Sequence, residues 1–199
     1  FGDSFESLKL IPIFMYVFNS YLIYLILIKI YKNREEAILG SCTFFLIPAV
    51  TVSSFLISTD VVLIFFWSLS LLFILKIREQ PNFYNFFLLG IFLGLAFLAK
   101  YAAIYFLISF ILILFFDLNL RRIFLIKISN TLIFLISLLI VLLPNIIWNI
   151  NNDLITIVHT SDNISLSKIT PNLIRGFEFL LIQALMLGIV ITIFSITGK

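Results

Sequence analysis

A few side chains with usable chemistry stand out from an otherwise apolar chain. Asp60 closes the triplet Ser58-Thr59-Asp60, directly before the apolar run that begins at Val61. Such a triplet looks like a helix N-cap, worth about 1 kcal/mol. A carboxylate at a membrane surface can equally order a hydroxyl group or a partner cation, and the two readings are compatible. Lys100 is the one charge in the long apolar run 83–116. Held in hydrocarbon it would cost roughly 2.5–3.5 kcal/mol, so it either snorkels to an aqueous surface or, as a compact point charge, neutralises a lipid phosphate. Its place in a shallow turn favours the phosphate. Tyr101 beside it, and Trp148 at the end of a later apolar run, read as parts of an interfacial aromatic belt. His159, the one histidine, sits in a polar stretch where a surface role is commoner than that of a base. Paired carboxylates, a Ser/His/Asp set, a metal-ligand cluster and a phosphate-cradling glycine loop are all missing from the sequence. No cofactor is therefore evident, and a divalent cation, an option wherever a phosphate is handled, has no support here. The Asn163-Ile164-Ser165 sequon carries little without a eukaryotic secretory context.

These residues need elements that hold them at a surface, and composition says what those elements are. Hydrophobic residues make up 62% of the chain and charged residues 12%, with a mean hydropathy of +1.21, beyond what a soluble domain carries. The chain is all-α, a polytopic transmembrane helical bundle. Its net charge of +3 is small and its basic residues fall in short clusters between apolar runs, which excludes a nucleic-acid surface. Cys42 is the only cysteine, so no disulfide and no cysteine-based metal site can form within the chain. The start at Phe1 has neither an initiator methionine nor a charged leader and reads as the interior of a longer protein.

Hydropathy divides the chain into spans at about 10–31, 37–57, 61–75, 83–98, 102–116, 128–143 and 177–196, one transmembrane domain over 1–199. Pro12 falls in the first turn of the first span, Pro48 kinks the second, and Pro144 ends the sixth, leaving Trp148 and His159 in a loop of about thirty residues. The run 83–116 decides the count. As one helix it would be about 50 Å long against a hydrocarbon core of ~30 Å, and Lys100 would lie near the midplane. A hairpin of two short helices turning at Ala99, Lys100 and Tyr101 brings the ammonium to a surface. The hairpin also puts the basic clusters at 29–34, 76–78 and 121–127, with Lys199, on one side, which the positive-inside rule makes cytoplasmic. Lys9, Lys100, Lys168 and Arg175 fall on the other. Gly90 and Gly94 form a small-xxx-small pair that lets a neighbouring helix come close.

Five stretches carry a family resemblance: FGDSFESLKLIP, STDVVLIFFWSLSLLFILK, LLGIFLGLAFLAKYAAIYFL, LLPNIIWNINNDLITIVHT and the glutamine in FLLIQALMLG. In order and spacing they resemble the bacterial glycosyltransferase family 39 proteins, relatives of dolichyl-phosphate-mannose protein mannosyltransferases and of lipid A aminoarabinose transferases. The resemblance implies a GT-C membrane fold in the bacterial inner membrane. It implies a sugar taken from a polyprenyl-phosphate donor, a lipid, glycan or protein acceptor, and motif loops on the extracytoplasmic side. Thr59 and Asp60 match the family's TD pair, Lys100 the lysine ending its glycine-rich helix, Trp148 and Asn149 its WN, and His159 a histidine of the subgroup. With Tyr101 beside Lys100, these are the implied substrate-binding residues. The family's catalytic acid lies in its first extracytoplasmic loop. Asp3 and Glu6 are not in that context, so the general base is expected upstream of Phe1, and this stretch alone is expected to be inactive. A secondary transporter or flippase of a lipid-linked substrate is the main rival, and would show inverted repeats with broken helices in matching positions. A noncatalytic assembly subunit is the third reading.

Overall fold

The computed structural model describes residues 5–156, 158 and 173–188, and among these every regular element is helical. The helices are α1 (Phe5–Tyr31), α2 (Arg34–Leu46), α3 (Pro48–Ser53), α4 (Thr59–Glu79), α5 (Phe83–Ala99), α6 (Ile104–Phe116), α7 (Leu118–Ile126), α8 (Ile128–Asn151) and α9 (Leu173–Leu187). Packing places α2 on α1, α1 on α4, α4 on α5 and α5 on α8, in a row. Three of these, over Lys9–Tyr31, Thr59–Glu79 and Ile128–Asn151, are long and apolar enough to cross a membrane. The pair Tyr101–Phe116 and Leu118–Ile126, bent by 100° at Asp117, makes a fourth if counted as one broken span.

Polar contacts at the helix ends give the directions. Lys29 near the end of α1 meets Glu79 at the end of α4, with Nζ 2.5 Å from Oε2, and Arg78 meets Asp117, the residue after α6, at 3.2 Å. At the opposite end of α4, Asp60 meets Lys100, the residue after α5. So α5 and α6 run in opposite directions on either side of a break at Lys100, and α5, with 17 residues, is shorter than a candidate span. The start of α8 is tied by Asn130 Nδ2, which donates to the Pro81 carbonyl at 3.2 Å, and its far end reaches Tyr101. Asp60 and Arg78, on one continuous helix, are about 27 Å apart along its axis, close to a hydrocarbon core.

Short polar caps end these apolar helices, since bare N–H groups near lipid are costly. Asn33, Ser58, Asn82 and Asp117 each accept a backbone N–H from the first turn they precede. The core is largely aromatic. Phe124 of α7 packs on Phe86, Phe110 and Phe134, with ring centroids 4.9–6.3 Å apart. Gly90 and Gly94 do what their spacing suggested: α8 lies so close that a Cβ on Gly90 would overlap Ser137 Oγ and the Phe134 carbonyl, and one on Gly94 would stand 2.8 Å from Val141 Cβ.

Several sequence expectations are corrected. Pro144 does not end the sixth helix, because α8 continues through it to Asn151. A proline removes one backbone donor, and neighbouring packing in a bundle makes this tolerable. Pro12 likewise lies inside α1, which already begins at Phe5. The stretch 37–57 is not one kinked helix but two, since Pro48 starts α3 afresh after Ile47. Residues 118–126, which the span assignment leaves between two spans, form α7 with Leu120 and Phe124 buried. Residues 189–196 of the last span, the 163–165 sequon, Asp3, Lys168 and Lys199 lie outside the described residues.

Candidate functional site

The end of the row where α4 begins and α5 stops gathers most of the chemistry. Ser58 caps α4: its Oγ accepts the Asp60 N–H at 3.1 Å and donates to Asp60 Oδ2 at 3.1 Å. Asp60 is therefore not the cap the sequence suggested, and it accepts no backbone N–H through its carboxylate among the described bonds. It sits in the first turn, where the helix dipole favours a negative charge, with its carboxylate turned to Lys100. The backbone at Lys100 is extended, with φ −163° and ψ 135°, which throws the side chain out of the helix line. Lys100 Nζ donates to Asp60 Oδ1 at 2.6 Å, and the two side chains are 46% and 50% exposed. A pair this open to solvent is worth at most about 1 kcal/mol. It orients a cation without consuming it.

The next residue anchors the turn. Tyr101 Oη donates to Asn145 Oδ1 at 3.0 Å, and Asn149 Nδ2 donates back to Tyr101 Oη at 3.3 Å and to the Asn145 carbonyl at 2.9 Å. Asn145 and Asn149 are one turn apart on α8 and so share a face. Asn149 is 5% exposed. Beyond α8, Asp153 and Leu154 take left-handed φ values of 53° and 56° and fold the chain back, so that Thr156 Oγ1 donates to Asn149 Oδ1. A left-handed leucine costs on the order of 1–2 kcal/mol, a strain that a polar cluster of this kind offsets. Thr156 Oγ1 also lies 3.2 Å from Tyr101 Oη. With the tyrosine proton on Asn145 and the threonine proton on Asn149, that last contact has no proton of its own. Beside this cluster Tyr101, Asn145, Ile146, Asn149, Ile150 and Leu154 line a cavity of about 240 Å³. Its polar atoms are engaged with one another, so the surface it offers is mainly apolar.

Of the residues singled out from sequence, Asp60 with Lys100 and Tyr101 with Asn149 are brought together in pairs at this end. Thr59 is the exposed first residue of α4, and Trp148 is half exposed on α8 rather than in a loop. His159 lies outside the described residues. Asn145 was missed although its four-residue spacing from Asn149 was visible, and Thr156 left no sequence signal. Among the described residues no group of three or more His, Cys, Asp or Glu side chains is placed to hold a metal ion.

Comparison with known proteins agrees with the part of the chain that builds this site. Residues 1–148 match the family described as dolichyl-phosphate-mannose-protein mannosyltransferase. The lipid A galacturonosyltransferase RgtD of Rhizobium johnstonii is 32% identical over 149 residues, 75% of this chain and 31% of that protein. The chain thus spans about a third of the length of this relative. No solved structure matches it. The matched residues take in Asp60, Lys100, Tyr101 and Asn145, and with its apolar helices the chain is an integral membrane protein that belongs to the dolichyl-phosphate-mannose-protein mannosyltransferase family.

Proposed function

We propose that the protein is a GT-C-type glycosyltransferase that moves a sugar from a polyprenyl-phosphate donor to a lipid or glycan acceptor. The observation that carries this reading is Lys100, a half-exposed cation at a helix break, oriented by Asp60 at 2.6 Å and set beside the Tyr101 cluster. In the reaction an acceptor hydroxyl attacks the anomeric carbon and the bond to the donor phosphate breaks. Negative charge grows on the phosphate oxygen, and an ammonium held beside it lowers the barrier. The acceptor's proton goes to a carboxylate other than Asp60, whose two oxygens already accept from Lys100 and Ser58. The Tyr101, Asn145 and Asn149 bonds hold the turn rigid, so the cation meets the phosphate at a fixed place. The apolar cavity beside them suits the first isoprene units of the donor.

The chain in this reading crosses the bacterial inner membrane seven times, with α5 and α6 as a short hairpin and the Lys100 end extracytoplasmic. Its support is the bundle's charge distribution: Lys29, Lys32, Arg34, Lys76, Arg78, Arg121, Arg122 and Lys127 all lie toward the opposite end. Kinship with a lipid A galacturonosyltransferase favours a lipid acceptor of the cell envelope over a protein one.

The test is Lys100→Ala in the whole protein, assayed with labelled polyprenyl-phosphate sugar in liposomes. Transfer should fall by at least about 10²-fold, the usual effect of removing one group that stabilises developing charge, with expression and thermal midpoint unchanged. Lys100→Arg should recover little, because a planar fork does not replace a point charge in a tight turn. Wild-type transfer by Lys100→Ala would leave Lys100 a snorkelling side chain and remove the reading.

A further inference from the structure

At Asp117 the chain turns through a sharp elbow. Because α7 leaves α6 at 100°, it runs across the end of the bundle instead of along it. Its inner face is pinned by Leu120, 2% exposed, and Phe124, 6% exposed. Its outer face carries Arg121 and Arg122 beside Leu118, Leu125 and Ile126, which are all more than 60% exposed. In the angle between the helices is a recess of about 580 Å³, walled by Leu112, Ile113 and Phe116 on α6 and floored by Asp117, Leu118 and Asn119. Phe116 is the most exposed large apolar side chain among the described residues, at 85%.

We infer that this elbow seats one anionic phospholipid, its acyl chain against the α6 wall and its phosphate over α7 beside Arg121 and Arg122. Arg122 stands one turn beyond Leu118 and Asn119, on the face that floors the recess. Asp117 does not oppose an anion there. Its Oδ2 is paired with Arg78 at 3.2 Å, and its Oδ1 accepts the N–H groups of Asn119 and Leu120 at 3.0 Å each. An apolar wall standing on a basic ledge matches a lipid, whose charge and chain meet at the headgroup level. A soluble protein partner would have to enter the hydrocarbon to cover Leu112 and Ile113. The inference rests on the helices lying in a membrane and not on the donor reading.

The test uses the whole protein in mild detergent, titrated with phosphatidylglycerol or with phosphatidylcholine of the same chains, with retention read by native mass spectrometry. Phosphatidylglycerol should be retained preferentially. Each of Arg121→Gln and Arg122→Gln should weaken it about fivefold, the worth of one basic residue at an anionic lipid surface, while phosphatidylcholine retention stays constant. Arg34→Gln, exposed at the same end but away from the elbow, should change little. Equal loss with Arg34→Gln, or no loss with the elbow variants, would overturn the seat. A nitroxide at Asn119→Cys in a Cys42→Ser background gives an independent reading. Phosphatidylglycerol should immobilise it more than phosphatidylcholine does, and equal immobilisation by both would also overturn the seat.

Discussion

The two ends of the helical row hold charge in opposite ways. At the end formed by Lys29, Glu79, Arg78 and Asp117, basic residues are many and two ion pairs tie neighbouring helices together. At the other end Lys100 stands with one carboxylate, at a break that shortens two helices, over a polar cluster that includes a nearly buried asparagine. The first arrangement is what a bundle needs to sit in a bilayer. Left-handed backbone occurs at both ends, at Lys32 in the first and at Asp153 and Leu154 in the second, but only in the second does it fold the chain back to close a polar cluster beside the Lys100 turn.

The largest effect expected on the fold lies between the ends, where α5 and α8 touch through glycine. Gly90→Val should lower the thermal midpoint strongly, by the equivalent of about 3 kcal/mol or more, because its added atoms overlap backbone as well as Ser137 Oγ. Gly176→Ala, with open space around it, should be neutral. Equal behaviour of the two would mean that α8 does not lie where it is described.

Smaller effects separate the ends themselves. Asn149→Leu should cost on the order of 1–2 kcal/mol, since it removes the amide that donates to Tyr101 Oη and accepts from Thr156 Oγ1 in a half-buried site, and it should raise the KM for donor. Tyr101→Phe should act in the same direction, by about 1 kcal/mol or less. A thermal melt paired with donor kinetics checks both, and an Asn149→Leu enzyme with wild-type stability and KM would show the cluster to be incidental. At the basic end, Lys29→Gln should change stability by no more than about 1 kcal/mol and leave transfer intact, because the Glu79 side chain is 51% exposed and solvent screens the pair from that side.

Much of this contrast was legible in the sequence where a strong cost decides. A lysine in the middle of an apolar run of over thirty residues forces a break, and Gly90 with Gly94 announces a close helix. Features settled by weaker terms were not legible. Proline signals a helix end, yet Pro144 lies inside α8 because packing outweighs one lost hydrogen bond. Ser58 and Asp60 are both able to cap, and only the position of Lys100, forty residues on, draws the carboxylate away and leaves the cap to the serine. The arginines of α7 hid a helix whose apolar face is only a few residues wide. Thr156 joins the site through a chain reversal at non-glycine residues, which no turn motif foretells.

One measurement bears most directly on the claim that the Lys100 end is the working end: a charge reversal, Asp60→Lys with Lys100→Asp, set beside the reversal Lys29→Glu with Glu79→Lys. Both keep an ion pair between the same two positions, and the cation that Asp60→Lys puts at the start of α4 costs only about 1 kcal/mol or less, so both proteins should still fold. The Lys29/Glu79 reversal should transfer sugar normally, while the Asp60/Lys100 reversal should lose at least about 10²-fold, because its cation now stands on α4. Normal transfer by the Asp60/Lys100 reversal would show that pair to be a structural tie like those at the other end, and would contradict the account.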